Sequence, residues 1–433
     1  MNILIVGKGG REHALGAHFA KDSRVKNIFI YPGNPGMTLT KKITVLSYLN
    51  DQQFKSWCED NKNLMNFVFI GPEDAIVNGL AQKLCAMGLK VIAPSINAAK
   101  LESSKIFSKL LMDKYQIPTA RSFKAYSYDE SILRLNEFFS LFPNESVVIK
   151  LSGLHAGKGV YLTSAGEHSK AEAILQLKKW EKELSEGVLL EECLIGPEVS
   201  LFYFCLDRHA LFLGDATDHK RIFDGDQGPN TGGMGCFSPN PLLTEEDKEF
   251  IYREIVHKTL NAMILENCPF EGILFVGIML TSKGPKVLEY NVRFGDPETQ
   301  TILPLIENGF LDACLHFTKR DHIQFSNQKI TYKDLKSIHI VKSSKNYPEN
   351  PIIGDELILS DTIDEQFYFA GVKKDHDKLF TNGGRVCGLT KCAKTLKLAQ
   401  ASCYQNINQV SFSGQHFRKD IGKIGVEFEE RLK

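Results

Sequence analysis

No surplus of either charge marks this sequence: 52 lysines and arginines stand against 52 aspartates and glutamates in 433 residues. That balance argues against a general nucleic-acid binder, which carries a basic excess, but leaves room for a local phosphate pocket. The ten cysteines do not cluster either, and no pair has C-x-x-C spacing. Neither a zinc site nor a disulfide framework is indicated, and reduced core thiols are expected. Long apolar runs are missing too. None approaches the roughly 18–20 residues that cross a bilayer, and MNILIV gives way at once to the polar GKGGRE, unlike a secretory leader. Internal repeats and low-complexity linkers are lacking. The expectation is a soluble cytoplasmic protein of several domains, since domains average about 150 residues.

What is present is a strand–helix alternation in the first hundred residues. Apolar runs at 3–6, 28–31, 67–70 and 90–92 read as strands, and residues 12–20 and 75–87 as helices. Glycines at the strand ends indicate a parallel sheet, whose ligands bind at the carboxyl ends of its strands. The turns at 7–10, 32–36 and 71–73 would share one crevice. A helix is predicted over 103–115. A smaller unit follows, with strands at 147–150, 160–163 and 188–190 and a helix over 171–184. Beyond it, 199–206 and 211–213 read as a hairpin, 224–238 as a long Gly-rich loop and 245–265 as a helix. Residues 273–280 and 286–290 are strands joined by a turn. The last hundred residues predict a separate β-rich unit.

Several stretches carry chemistry. GKGGREH follows a strand and opens a helix, a setting that favours an anion at backbone N–H groups. Glu12 occupies the third glycine position of a dinucleotide fingerprint, so phosphate binding fits better than a nicotinamide cofactor. Lys150 and the Gly-rich hairpin at 153–159 form a second anion candidate, without the spacing of a Walker loop. At 189–194 an apolar strand ends in Glu191 and Glu192, placed to read an adenine edge, and Glu198 is within reach of a ribose. Asp218, His219, Lys220 and Arg221 precede a span with five glycines, DGDQGPNTGGMG, costly for stability unless the backbone must approach a ligand. Residues 289–300, EYNVRFGDPETQ, are the most informative. Glu289 and Asn291 alternate on one strand face, two oxygen donors suited to Mg²⁺. Arg293 continues that face if the strand persists and suits a carboxylate.

In order along the chain, GKGGREHA, YPGNPG, GPE, LESSKIFSKLLMDKYQIPTA, GLHAGKGV, DHKR, DGDQGPNTGGMG, RFGDPETQ, TNGGRV and FRKDIG resemble the phosphoribosylamine–glycine ligase family of the ATP-grasp superfamily. The resemblance implies an α/β and α+β multidomain fold. Residues 1–102 would be Rossmann-like, 103–325 an ATP-grasp domain with a mobile lid at about 122–190, and 326–433 a β-rich domain. It implies that ATP phosphorylates glycine to glycyl phosphate, which 5-phosphoribosylamine attacks to give glycinamide ribonucleotide in purine biosynthesis. The protein would act on small molecules, without nucleic acid or membrane, as a monomer.

The resemblance also implies roles. Mg²⁺ (or Mn²⁺) would sit on Glu289 and Asn291. ATP would be held by Lys105, Lys150, Gly157, Lys158 and Gly159, with adenine at Glu191, Glu192, Cys193 and Leu194 and ribose at Glu198. Arg293 and Lys150 would serve catalysis, Arg293 by holding glycine's carboxylate or its acyl phosphate. Gly9, Gly10, Glu73, Asp218, His219, Lys220, Arg221, Asn230, Thr231, Gly232, Gly233 and Asp296 would bind substrate. Three features depart from the family pattern. Leu151, Ser152 and His155 alter the lid motif, Ser103-Ser104 replaces Gly-Ser before Lys105, and Gly277 stands where many ATP-grasp enzymes carry a further metal carboxylate. Another ATP-grasp ligase, a non-catalytic nucleotide-binding relative and a nicotinamide-binding protein remain as alternatives at this point.

Overall fold

The apolar run at the start forms the strand Asn2–Gly7, the centre of a five-stranded parallel sheet. Asn27–Pro32 and Ile43–Val45 lie on one side of it, Phe67–Ile70 and Val91–Ile92 on the other. Such strands are apolar throughout because both sheet faces are covered; Ile3, Leu4, Ile5, Phe67 and Val68 are fully buried. The strand order reverses between Asn2–Gly7 and Phe67–Ile70, so a crevice opens at their carboxyl ends. The computed structural model describes residues 1–154 and 159–432.

A four-stranded antiparallel sheet, in the order Ser122–Ala125, Val188–Glu192, Val147–Leu151 and Val160–Leu162, forms the smaller unit. The helices Tyr128–Leu141 and Ser169–Lys179 pack on it through Leu135, Phe138, Ala173 and Leu177. The largest sheet has eight antiparallel strands, running Gly284–Asn291, Gly272–Thr281, Glu198–Leu206, His209–Asp218, Gly235–Ser238, Lys336–Ser343, Arg385–Ala393 and Phe367–Phe369.

The C-terminal region makes small sheets of its own, Ile358–Leu359 with Val410–Ser411 and Val372–Asp375 with Lys378–Thr381; Lys336–Ser343 pairs with Gly235–Ser238 and so also continues the central sheet. Its donor strand lies inside the stretch read as a loop, which also holds Gln227–Asn230 paired with Arg221–Phe223. Helix boundaries shift for identifiable reasons. Gly79, at φ +75°, divides the expected 75–87 helix into Glu73–Val77 and Leu80–Ala86. Ser104 caps Lys105–Lys114 by accepting from Phe107 N, leaving Lys100–Ser103 as a separate short helix. The 245–265 helix is continuous but loosens to π geometry over Ile251–His257.

No helix among the described residues is long and apolar enough to cross a membrane. All ten cysteines are free.

Candidate active site

The crevice at the switch point of the parallel sheet opens into a cleft of about 600 Å³. The parallel sheet supplies Glu73 and Arg11, the helices around residue 104 supply Glu102, Lys105 and Lys109, and the four-stranded sheet supplies Lys150 and Glu191. The eight-stranded sheet adds Asp218, Glu289, Asn291 and Arg385; Lys220 follows its strand His209–Asp218, and Arg293, Asp296 and Glu298 follow its edge strand.

Glu289 and Asn291 do share a face, as strand alternation requires. Asn291 Nδ2 donates to Glu289 Oε1 at 3.5 Å, and Gly277 lies opposite Glu289 in the ladder. Burial disfavours the Glu289 carboxylate, but Lys220, Lys150 and Lys105 outweigh it and lower its pKa. Among the described residues no three His, Cys, Asp or Glu side chains gather as a cage. A pair of oxygen-bearing groups facing lysines fits Mg²⁺, which takes one or two protein ligands and completes its shell with water and phosphate oxygens.

Three lysines approach this pair differently. Lys105 Nζ donates to Gly153 O at 2.9 Å, and burial without a close acidic partner lowers its pKa. Lys150 Nζ donates to Glu191 Oε2 at 2.6 Å and to Leu288 O at 3.2 Å. Burial opposes its charge, yet Glu191 raises its pKa. Lys220 pairs with Glu198. Glu191 also holds Lys109 at 2.8 Å, so its carboxylate is committed to two lysines rather than open to adenine. Lys109 was missed in the sequence, although it stands four residues after Lys105 on one helix face.

Arg293 is also committed. The strand ends at Asn291, and the guanidinium turns to two acids: Nε to Glu73 Oε2 and Nη2 to Glu102 Oε1, both at 3.0 Å. Arg11 shares Glu73 at 3.4 Å. Burial would raise the Glu73 carboxyl, but Arg293 and Arg11 hold it at about 2. Arg385 enters from the C-terminal strand. It donates to Asp296 O and Gly232 O, both at 2.6 Å, and pairs with Asp296 Oδ1 at 3.3 Å. Burial would raise Asp296; Arg385 and Arg11 hold it at about 2. Asp218 and Glu298 go the other way. Burial raises both pKa values, and each adds to the other or to neighbouring acids in disfavouring a second negative charge. Asp218 Oδ1 is buried without a hydrogen-bond partner.

Of the residues picked from the sequence, Glu73, Lys105, Lys150, Gly159, Glu191, Asp218, Lys220, Thr231, Gly232, Glu289, Asn291, Arg293 and Asp296 line the cleft together. Gly157 and Lys158, with His155, lie outside the described residues. Others do not line it. Glu192 is engaged by Lys286 and the Arg121 amide, with Cys193 and Leu194 half-buried beyond it. Glu198 pairs with Lys220 at the edge of the site. Alternation sends His219 and Arg221 away from Asp218 and Lys220: His219 is buried against Phe237, accepts from Gly422 N and falls to about 4 by burial, so it adds no positive charge, and Arg221 donates to Gly228 O. Asn230 is exposed on the Gln227–Asn230 strand, and Gly233 backs Asp218.

At the first turn Gly9 N donates to Glu12 Oε2 at 2.6 Å and Arg11 N to Asp296 Oδ2 at 3.1 Å, so protein carboxylates lie beside Gly9 and Gly10. A Cβ at Gly71 would lie 2.0 Å from Glu12 Oε1 and one at Gly7 2.4 Å from Glu12 Cδ. These glycines make room for Glu12. Arg11, Glu102, Lys109, Glu298 and Arg385 are cleft residues that the motifs did not single out; only Lys109 had a periodic signal.

The chain is similar to known proteins along nearly its whole length. Models of the phosphoribosylglycinamide synthetase N, ATP-grasp (A) and C domains match residues 1–102, 103–299 and 337–424. A phosphoribosylamine–glycine ligase of Caldanaerobacter subterraneus subsp. tengcongensis is 37% identical over 424 residues, 97% of this chain and 99% of that protein. The crystal structure of phosphoribosylamine–glycine ligase from Thermotoga maritima superposes with a TM-score of 0.80 at 32% identity, over 97% of this chain and 100% of the other. Biotin carboxylase from Campylobacter jejuni shares the fold, with a TM-score of 0.68 at 14% identity, covering 100% and 94%. With three domain models matched in order and close relatives along nearly its entire length, the chain belongs to the phosphoribosylglycinamide synthetase family of ATP-grasp ligases.

Proposed function

We propose that this cleft joins glycine to 5-phosphoribosylamine, converting ATP to ADP and phosphate and yielding glycinamide ribonucleotide for purine biosynthesis. The observation that carries the reading is the convergence of Lys105, Lys150 and Lys220 on Glu289 and Asn291, with Arg293 beside them. Phosphoryl transfer asks for positioning and charge neutralisation more than for a covalent nucleophile. Glycine's carboxylate oxygen attacks the γ-phosphorus and ADP leaves. The amine nitrogen then attacks the acyl carbon, the bond from that carbon to the bridging oxygen breaks, phosphate departs and the amine gives up a proton.

Lys105 and Lys150 neutralise the phosphates, and Arg293 orients the carboxylate. Glu289 and Asn291 would hold Mg²⁺ or Mn²⁺, which supplies charge neutralisation at the phosphate oxygens. Asp218 and Glu298, whose pKa values burial raises, can receive the amine's proton. Adenine lies along Glu192, Cys193 and Leu194, with the ribose toward Glu198; Gly159 lies over the phosphates. Glu73, Asp296, Thr231 and Gly232 hold the phosphoribosyl part. The protein works as a cytoplasmic monomer on small molecules. The test supplies purified protein with Mg²⁺-ATP and each substrate alone or together. ADP release that requires both glycine and phosphoribosylamine, with product identified by mass, supports the reading. Absence of that product, or turnover with a different acid and amine from a substrate panel, overturns it.

A further inference from the structure

Arg293 reaches the cleft from a chain segment that has left its strand, so nothing in the ladder fixes its guanidinium. Two carboxylates do. Glu73 takes the Nε edge, but it is shared with Arg11 and remains partly open to the cleft, its side chain 26% exposed. Glu102 differs in kind. Its side chain is 7% exposed, and its two oxygens serve two consecutive residues: Oε1 meets Arg293 Nη2 at 3.0 Å and Oε2 accepts from Val292 N at 2.7 Å. Val292 separates Asn291 from Arg293 and is itself fully buried.

Glu102 also sits in the short helix Lys100–Ser103, two residues before the Ser104 cap that opens the Lys105 helix. Leu101 beside it is anchored in the same core as Val292. One buried carboxylate therefore ties the segment that presents Lys105 to the segment that presents Asn291 and Arg293. Burial raises its pKa, and the Arg293 guanidinium opposes that rise. A buried acid is costly unless it is paired and hydrogen-bonded, and Glu102 spends both oxygens on this one junction. Nη1 donates to Phe294 O at 3.4 Å, which leaves its second donor, and the second donor on Nη2, for an incoming carboxylate.

We infer that Glu102 is a positioning residue for the ligation: it fixes the Arg293 guanidinium and the Val292 amide together, and so sets the orientation in which Arg293 receives the substrate carboxylate. The inference rests on the role given to Arg293 above.

Steady-state kinetics of Glu102→Gln, Arg293→Lys and the double variant test it, with thermal melting beside each. Glutamine keeps an acceptor for Val292 N but offers Arg293 no charge. A lost charge-assisted bond corresponds to about a tenfold rise in the glycine KM of Glu102→Gln. The ATP KM should stay within about twofold, because the lysines and the Glu289 pair are untouched. The double variant should have a glycine KM no higher than that of Arg293→Lys alone, since Glu102 acts through Arg293. A strut with no orienting role would instead move the glycine KM, ATP KM and melting temperature together, or add its effect to that of Arg293→Lys. Either result overturns the inference, as does a glycine KM in Glu102→Gln within about twofold of the parent.

If Glu102→Gln does not fold, Glu102→Asp carries the test. It keeps the charge but is one methylene too short to span both partners, and its glycine KM should lie between the parent and Arg293→Lys; a parental KM overturns the inference. A raised KM in Arg293→Lys with an unchanged one in the Glu102 variants refutes Glu102 alone. An unchanged KM in Arg293→Lys refutes the reading of Arg293, and this inference with it.

Discussion

Glu191→Gln should destabilise the four-stranded unit rather than merely weaken nucleotide recognition. Glu191 meets Lys109 at 2.8 Å and Lys150 at 2.6 Å, and the three side chains are 4%, 5% and 12% exposed. Glutamine retains one acceptor oxygen, but its amide points N–H groups at whichever lysine the oxygen does not serve. Breaking a buried pair by removing one partner costs about 3–5 kcal/mol, because an uncompensated charge stays behind. Two features favour the lower end. Lys109 keeps Thr119 Oγ1 and Ala120 O at 2.8 and 3.0 Å, and Lys150 keeps Leu288 O at 3.2 Å. The expected loss is therefore about 3 kcal/mol.

The chain has two tryptophans, and Trp180 packs on the core of this unit while Trp57 packs elsewhere. In a Trp57→Phe background, urea unfolding followed by fluorescence reports the unit directly. A loss below about 1 kcal/mol would refute the argument, since that is the range of a solvent-screened surface pair. A large rise in ATP KM without any loss of stability would return Glu191 to an adenine-reading role.

Gly233→Ala should cut turnover by at least about tenfold, because φ is +109° and the new Cβ would lie 2.4 Å from Pro297 Cδ and 2.6 Å from Asp218 Oδ1; steady-state rates check it. Glu289→Gln should abolish most turnover while leaving urea stability near that of the parent, and a near-parental rate would remove Glu289 from the metal site. Lys342 is wholly buried among the carbonyls of Ile407 and Val410 and has no acidic partner in hydrogen-bond reach; burial lowers its pKa from 10.5 to about 8. Its folded value lies below its unfolded one, so between those two values the unfolded chain binds more protons and this group's contribution to stability rises with pH. The stability of the parent relative to Lys342→Met should therefore improve from pH 8 to pH 10.5, as denaturant midpoints would register; a flat difference would contradict it.

Local periodicity made much of this fold legible. Strands buried on both faces announce themselves as apolar runs, and the residues Glu289 and Asn291 fell on one face because two-residue alternation is intrinsic to a strand. The same rule, not applied to 218–221, would have separated Asp218 and Lys220 from His219 and Arg221. Long-range pairing was less legible. Gly235–Ser238 became a central strand because Lys336–Ser343 pairs with it about a hundred residues later, and no local composition signals that partner. Arg385 likewise lies within TNGGRV, where nothing nearby indicates that its guanidinium ends on Asp296. The turns at 7–10 and 71–73 read as parts of one ligand crevice, and a ligand and a buried Glu12 ask the same thing of the backbone at Gly7 and Gly71: room.

If the carboxylate is activated by phosphoryl transfer before the amine attacks, an oxygen passes from glycine to phosphate. Glycine labelled with heavy oxygen in its carboxylate, turned over with Mg²⁺-ATP and phosphoribosylamine, tests it most directly by mass spectrometry of the phosphate released. One labelled oxygen is expected in each phosphate formed, carried over from glycine through the acyl phosphate. Phosphate free of label, alongside product formed at the same rate, would contradict it.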